Sequence, residues 1–165
     1  MKGRVISGIA ALSGIATFAA CGSDSATTTV DTTPAVTYTS TMSAANEKPS
    51  PNASTATGTA TYTLKGNTLS FVVTVSGLTG PATASHIHVG AASVAGAVIV
   101  PFVTGSVQSG NVASGTIDLS STISNGTSTI SGDSLKVLLN NGNAYTNVHT
   151  AANGGGEIRG QIVKQ

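Results

Sequence analysis

From Val36 onward, apolar and polar residues alternate with a period of two. Val36, Tyr38 and Met42 are interleaved with Thr37, Thr39 and Thr41, and Ala60, Tyr62 and Leu64 with Thr59, Thr61 and Thr63. Leu69, Phe71, Val73 and Val75 make the strongest apolar face, opposite Ser70, Val72 and Thr74. Alternation sends successive side chains to opposite faces of a strand, and Thr, β-branched yet polar, suits the wet one. Gly66-Asn67, between the second and third runs, predicts a hairpin because both residues tolerate positive φ. Further strands are predicted over 84–89, 97–103, 113–119, 127–130, 144–150 and 157–163, with Gly, Pro, Asn and Ser in the gaps. Pro101 has no N–H to give a ladder, so its run belongs at a sheet edge or a bulge. Short strands divided by turn signals predict an all-β fold, an antiparallel β-sandwich or barrel.

One segment changes period. Leu135, Leu138 and Leu139 stand at i, i+3 and i+4 behind Ser131-Gly132-Asp133-Ser134. The spacing predicts one short helix near 133–141, with Asp133 capping its start and Gly142 its end. Its leucines would cover one end of the sandwich.

The first twenty residues follow neither period. Lys2 and Arg4 precede an uncharged run from Val5 to Ala20 that closes on Phe18-Ala19-Ala20-Cys21. The run is short of the roughly 20 apolar residues of a membrane span. It resembles the signal and lipobox of bacterial lipoproteins, with Phe18 where an aliphatic residue is usual. The resemblance implies a signal peptide over 1–20, cleaved so that Cys21 becomes the lipid-bearing N-terminus. The alternative is an ordinary secretory signal with a chance cysteine. Cys21 is the sole cysteine, so no disulfide accounts for it, which favours the lipid. Residues 22–34 are rich in Ser, Thr and Asp and cannot bury enough surface to offset their chain entropy, so 21–35 reads as lipidated cysteine plus flexible tether. The folded domain would be 36–165, in a bacterial cell envelope. Gly22 after the cysteine is, by analogy with enteric bacteria, compatible with the outer membrane or cell surface.

Composition removes several function classes. Of 165 residues only 8% are charged and 4% aromatic, far from the Leu/Glu/Lys/Arg-rich composition of a coiled coil. The net charge is +1, and taking Lys2 and Arg4 from the seven basic residues leaves five against six acidic ones. Nothing there neutralises phosphates, so no nucleic-acid partner is expected. No Gly-x-Ser-x-Gly elbow occurs. Gly154–Gly156 lacks the Lys and the strand–loop–helix setting of a phosphate loop and reads as a tight turn.

Five motifs stand in order: Asn46-Glu47-Lys48-Pro49, Ser54-Thr55-Ala56-Thr57-Gly58, Ala84-Ser85-His86-Ile87-His88, Tyr145-Thr146-Asn147-Val148-His149-Thr150, and Gly156-Glu157-Ile158-Arg159-Gly160. Together they resemble the CHRD domain, a chordin-type module found widely in exported bacterial proteins. The loop 90–96 is shorter than the Gly/Pro-rich insertion common there. The resemblance covers about 36–165 and implies location and fold rather than one reaction.

All three histidines lie in these motifs. In a strand i and i+2 share a face, so His86 and His88 project together with Ile87 opposite. Tyr145, Asn147 and His149 share a face in the later run, with Val148 opposite. If the two strands are neighbours, three imidazoles converge, and neutral imidazole suits Cu(II) or Zn(II). The other reading is a structural hydrogen-bond network with Asn147 and Glu157 as partners. Glu47 reads as a loop ligand, a turn-stabilising acceptor or a partner for Arg159, and all three are candidates for the shell around the histidines. Arg159 and Glu157 alternate onto one strand face and are expected to form a structural pair or a cross-strand ladder rather than an anion funnel. The His-x-His strand, later His and C-terminal Arg are also similar to copper–zinc superoxide dismutase, a Greek-key β-sandwich. That similarity implies copper on His86, His88 and His149 and superoxide drawn in by Arg159. There is, however, no fourth His, no zinc cluster and no disulfide. The function expected is a lipid-anchored envelope module that binds a metal ion or another envelope protein. A copper-dependent enzyme and a purely structural domain are the alternatives.

Overall fold

The period-two runs fold as strands in the computed structural model, which describes residues 32–165. The leader, Cys21 and the tether through residue 31 lie outside the described residues. The strands are β1 (Val36–Ser43), β2 (Thr57–Lys65), β3 (Thr68–Ser76), β4 (Ala82–Val89), β5 (Val98–Pro101) and β6 (Gly110–Asp118). They continue with β7 (Thr122–Ser124), β8 (Thr129–Ser131), β9 (Ala144–Thr150), β10 (Ile158–Gln161) and β11 (Val163–Lys164). Helix α1 (Gly132–Asn140) lies between β8 and β9. β7, a three-residue strand paired with β8 and too short to show a period, went unforeseen, and the single strand expected over 157–163 divides into β10 and β11.

One antiparallel sheet runs β5-β4-β9-β10-β1-β2-β3-β6, with β11 beside β1. Its strands each have one apolar face, so the sheet curls into a half-barrel that wraps Tyr38, Met42, Tyr62, Leu69, Val73, Ile87, Val148 and Ile158, all fully buried. The sheet ends approach each other. The Leu78 and Ala82 amides donate to the carbonyls of Gln108 and Val107, and Phe102 stacks on Phe71 at 4.2 Å. Pro101 sits on edge strand β5, where its missing N–H costs nothing, and the β4–β5 register shifts between Ile87 and His88.

Two local expectations change. In the β2–β3 turn only Gly66 takes a positive φ, of 57°, while Asn67 does not. The helix is capped by Ser131, whose hydroxyl accepts from the Ser134 amide at 3.1 Å, and Asp133 lies in the first turn, not at the cap. A residue at 131 leaves β8 with extended φ and ψ, the geometry an N-cap needs, whereas 133 is already helical. Gly142 does end the helix. It has φ 65°, its amide points to Leu139 O and the Asn143 amide to Leu138 O, the paired bonds of a Schellman cap. Leu135 and Leu139 are buried beneath it.

What matters for function is the other side of β4, β9 and β10. β9 is buried on both faces, because the outer face is roofed by the segments that follow β1, β4 and β9. Those segments hold the 3₁₀ turn Ala44–Asn46, the loop 90–97 and the glycine turn 151–156.

Candidate metal centre

β4 and β9 are adjacent and antiparallel, with His86 opposite Asn147, His88 opposite Tyr145 and Ala84 opposite His149. Ile87 and Val148 point into the half-barrel and are fully buried, so the histidines stand on the outer face under the loops. The ring of His149 reaches diagonally to that of His86, with Nε2 3.1 Å from His86 Nδ1. His86 and His88 ring centroids are 5.4 Å apart. One nitrogen from each of His86, His88 and His149 lies within 4.8 Å of the other two.

Two of the rings are fixed in tautomer by backbone. His88 Nδ1 lies 3.0 Å from Gly96 O and His149 Nδ1 lies 3.0 Å from Gly154 O. A carbonyl only accepts, so both Nδ1 atoms carry the proton and both Nε2 atoms present a lone pair. His149 directs that lone pair at His86. His88 Nε2 is buried with no partner at all. Burial lowers the affinity of all three rings for a second proton. It acts first at His86, where the neighbouring imidazoles add to it and hold the pKa at about 4. At His88 and His149 burial outweighs the raising effect of the carbonyls. All three are therefore neutral near pH 7, the form that ligates.

The donor set fits a tetrahedral or trigonal ion. Metal–nitrogen bonds near 2.0–2.1 Å put ligand nitrogens about 3.3 Å apart in a tetrahedron, close to the 3.1 Å His86–His149 spacing. The widest spacing in the group, up to 4.8 Å, has to shorten for one ion to meet all three rings. His-to-carbonyl bonds from the far ring nitrogen are the usual outer support of such ligands. Gly96 and Gly154 provide it through main-chain oxygen, which has no side-chain signature. The only hint in the sequence was glycine beside each histidine motif.

The other expected residues divide. Asn147 donates to Glu47 Oε1 at 2.7 Å, both being buried, and neither bonds to an imidazole. Burial pushes the Glu47 carboxyl up to about 7, against the hydrogen bond from Asn147 and the charge of Arg159. Glu157 is not with Arg159. It precedes β10, so the strand alternation that predicted a shared face does not apply to it. Its carboxylate instead accepts from Ser54 Oγ, Thr79 N, Thr79 Oγ1 and Thr150 Oγ1 at 2.6–2.8 Å. Burial alone would raise its pKa, but these bonds prevail and hold it at about 2.

Arg159 lies flat on Tyr145, its guanidinium carbon 3.4 Å from the ring centroid. His88 is stacked with the same ring at 4.8 Å and 11°. β9 runs between β4 and β10, so the Tyr145 ring stands between the arginine and the imidazoles. Its hydroxyl accepts from Gly96 N and donates to Gly96 O, the carbonyl that also receives His88.

The family model for the CHRD domain matches residues 38–162. The chain belongs to the CHRD domain family. That span takes in both histidine strands, Glu47 and Arg159, so the whole outer-face cluster is part of the CHRD domain. No curated protein and no solved structure matches the chain. Among the described residues no helix is long and apolar enough to cross a membrane.

Proposed function

We propose that this CHRD protein is a cell-envelope module, anchored by lipid on Cys21, that binds one copper or zinc ion through His86, His88 and His149. The observation that carries the metal is the orphaned His88 Nε2, a buried lone pair on a ring that has a nitrogen within 4.8 Å of one on each of the other two imidazoles. A structural network would satisfy that atom, since a buried polar group without a partner costs about 1–3 kcal/mol. An ion satisfies it and draws in the lone pairs of the other two rings.

Binding, rather than superoxide turnover, is the activity supported, because the arginine that would guide an anion lies behind Tyr145. The test is titration of the full chain with Cu(II) and with Zn(II) by calorimetry, and copper EPR. One saturable ion with imidazole nitrogen hyperfine coupling is expected, lost in the His86→Ala, His88→Ala double variant. No saturation at micromolar metal overturns the reading.

The anchor rests on Lys2, Arg4, the apolar run and the lone Cys21. Cys21→Ser should move the protein from the membrane to the soluble fraction of bacterial cells. Membrane association unchanged by that substitution rules the lipid out.

A further inference from the structure

Arg159 is one of the largest fully buried side chains, with 2% of its surface exposed. Among the described residues no carboxylate lies within 4.0 Å of its guanidinium. Its contacts are the Tyr145 face and a single hydrogen bond, from Nη2 to the Ala91 carbonyl at 2.9 Å. A guanidinium carries five N–H donors in a planar fork and does not lose its charge in proteins. The remaining N–H donors of Arg159 have no protein partner among the described residues and face solvent, so a guanidinium this poorly paired gains from a counter-charge. Glu47 supplies it only in part, because burial keeps that carboxyl close to half protonated at neutral pH.

The guanidinium borders a cavity of about 250 Å³, whose wall also includes Lys48, Asn46, Gln161 and Ala92. Two cations and no acidic side chain line it. The volume is just under the range of drug-sized pockets, about 300–1,000 Å³, and so suits a small ligand.

We propose that this cavity is a second binding site, for a small oxyanion held by the Arg159 fork with Lys48 as the second positive charge. A planar carboxylate matches the fork with two parallel N–H···O bonds, and a tetrahedral oxyanion offers the same two acceptors. Tyr145 stands between this site and the imidazoles, carrying Arg159 on its ring while His88 stacks on it.

The experiment uses the full chain stripped of metal with a chelator, at low ionic strength, titrated by calorimetry with acetate, phosphate and sulfate in turn. Saturable one-to-one binding of at least one anion is expected, at least tenfold weaker in Arg159→Lys, which keeps the charge but not the fork. Preference for acetate assigns the planar ligand, and preference for phosphate or sulfate the tetrahedral one. Ala92→Phe fills the cavity from its exposed rim while leaving the arginine and its charge in the chain, and should abolish binding in a folded protein even if Arg159→Lys fails to fold. The His86→Ala variant, which leaves the His88–Tyr145 stack in place, should bind the anion as the unsubstituted protein does, so failure here and failure of the metal reading are told apart. The proposal is overturned if none of the anions saturates by roughly 10 mM. It is equally overturned if Ala92→Phe binds with unchanged affinity.

Discussion

Zinc at a thousandfold excess over its Kd is expected to raise the stability of the folded domain by about 4 kcal/mol. That is a shift in melting temperature of roughly 12 °C, at about 3 °C per kcal/mol for a domain of this size. His88→Phe should remove the whole shift while leaving the metal-free protein within about 1 kcal/mol of the unsubstituted one. The reason is local. Phe can keep the stacking on Tyr145 and deletes the orphaned Nε2. The Gly96 carbonyl that loses His88 Nδ1 still accepts from the Tyr145 hydroxyl. A hydrogen-bonding histidine of purely structural use would behave in the opposite way. Its replacement would cost the metal-free protein several degrees and zinc would protect both proteins equally. Differential scanning calorimetry with zinc and with a chelator decides between them.

The second large effect belongs to Glu157. Fully buried, its carboxylate accepts four hydrogen bonds and ties the loop after β1, the turn before β4 and the end of β9 to one point. Glu157→Gln keeps the shape but turns an amide NH₂ toward donors. The expected loss is about 2–4 kcal/mol, the worth of one or two charge-assisted bonds. Its acid response has a definite sign. With a folded-state pKa of about 2 against an ordinary 4.5, the carboxylate contributes fully above pH 4.5 and loses that contribution as pH falls toward 2. Glu47 works in a different window. Its pKa is raised to about 7, so its contribution is complete below 4.5 and fades as pH rises through 7. Urea unfolding of Glu157→Gln between pH 2 and 5 should therefore show a flatter profile than the parent chain. A parallel profile, merely displaced, would mean that the carboxylate is not the group titrating there.

Much of the fold could be read because strand burial is a local signal. Residues 69, 71, 73 and 75 alternate in sequence and are buried in alternation, and the same holds at Tyr38, Met42, Ala60 and Tyr62. The helix was legible from three leucines and one glycine, while its N-cap was not, since Ser131 and Asp133 are equally good caps until β8 settles where the extended backbone stops. Glu157 was misplaced for a related reason. Alternation holds only inside a strand, and β10 begins one residue later.

What the amino-acid order determined by itself is therefore the strand faces: His86 with His88, Tyr145 with His149, Ile87 and Val148 opposite, because chirality and the pleat set those within a few residues. What only the tertiary structure decided is pairing across the chain. The sheet order seats β9 between β4 and β10, which brings three imidazoles to one point and sets Arg159 behind Tyr145. The carbonyls of Gly96 and Gly154, which orient those imidazoles, belong to the backbone and become partners only when their loops close over the sheet.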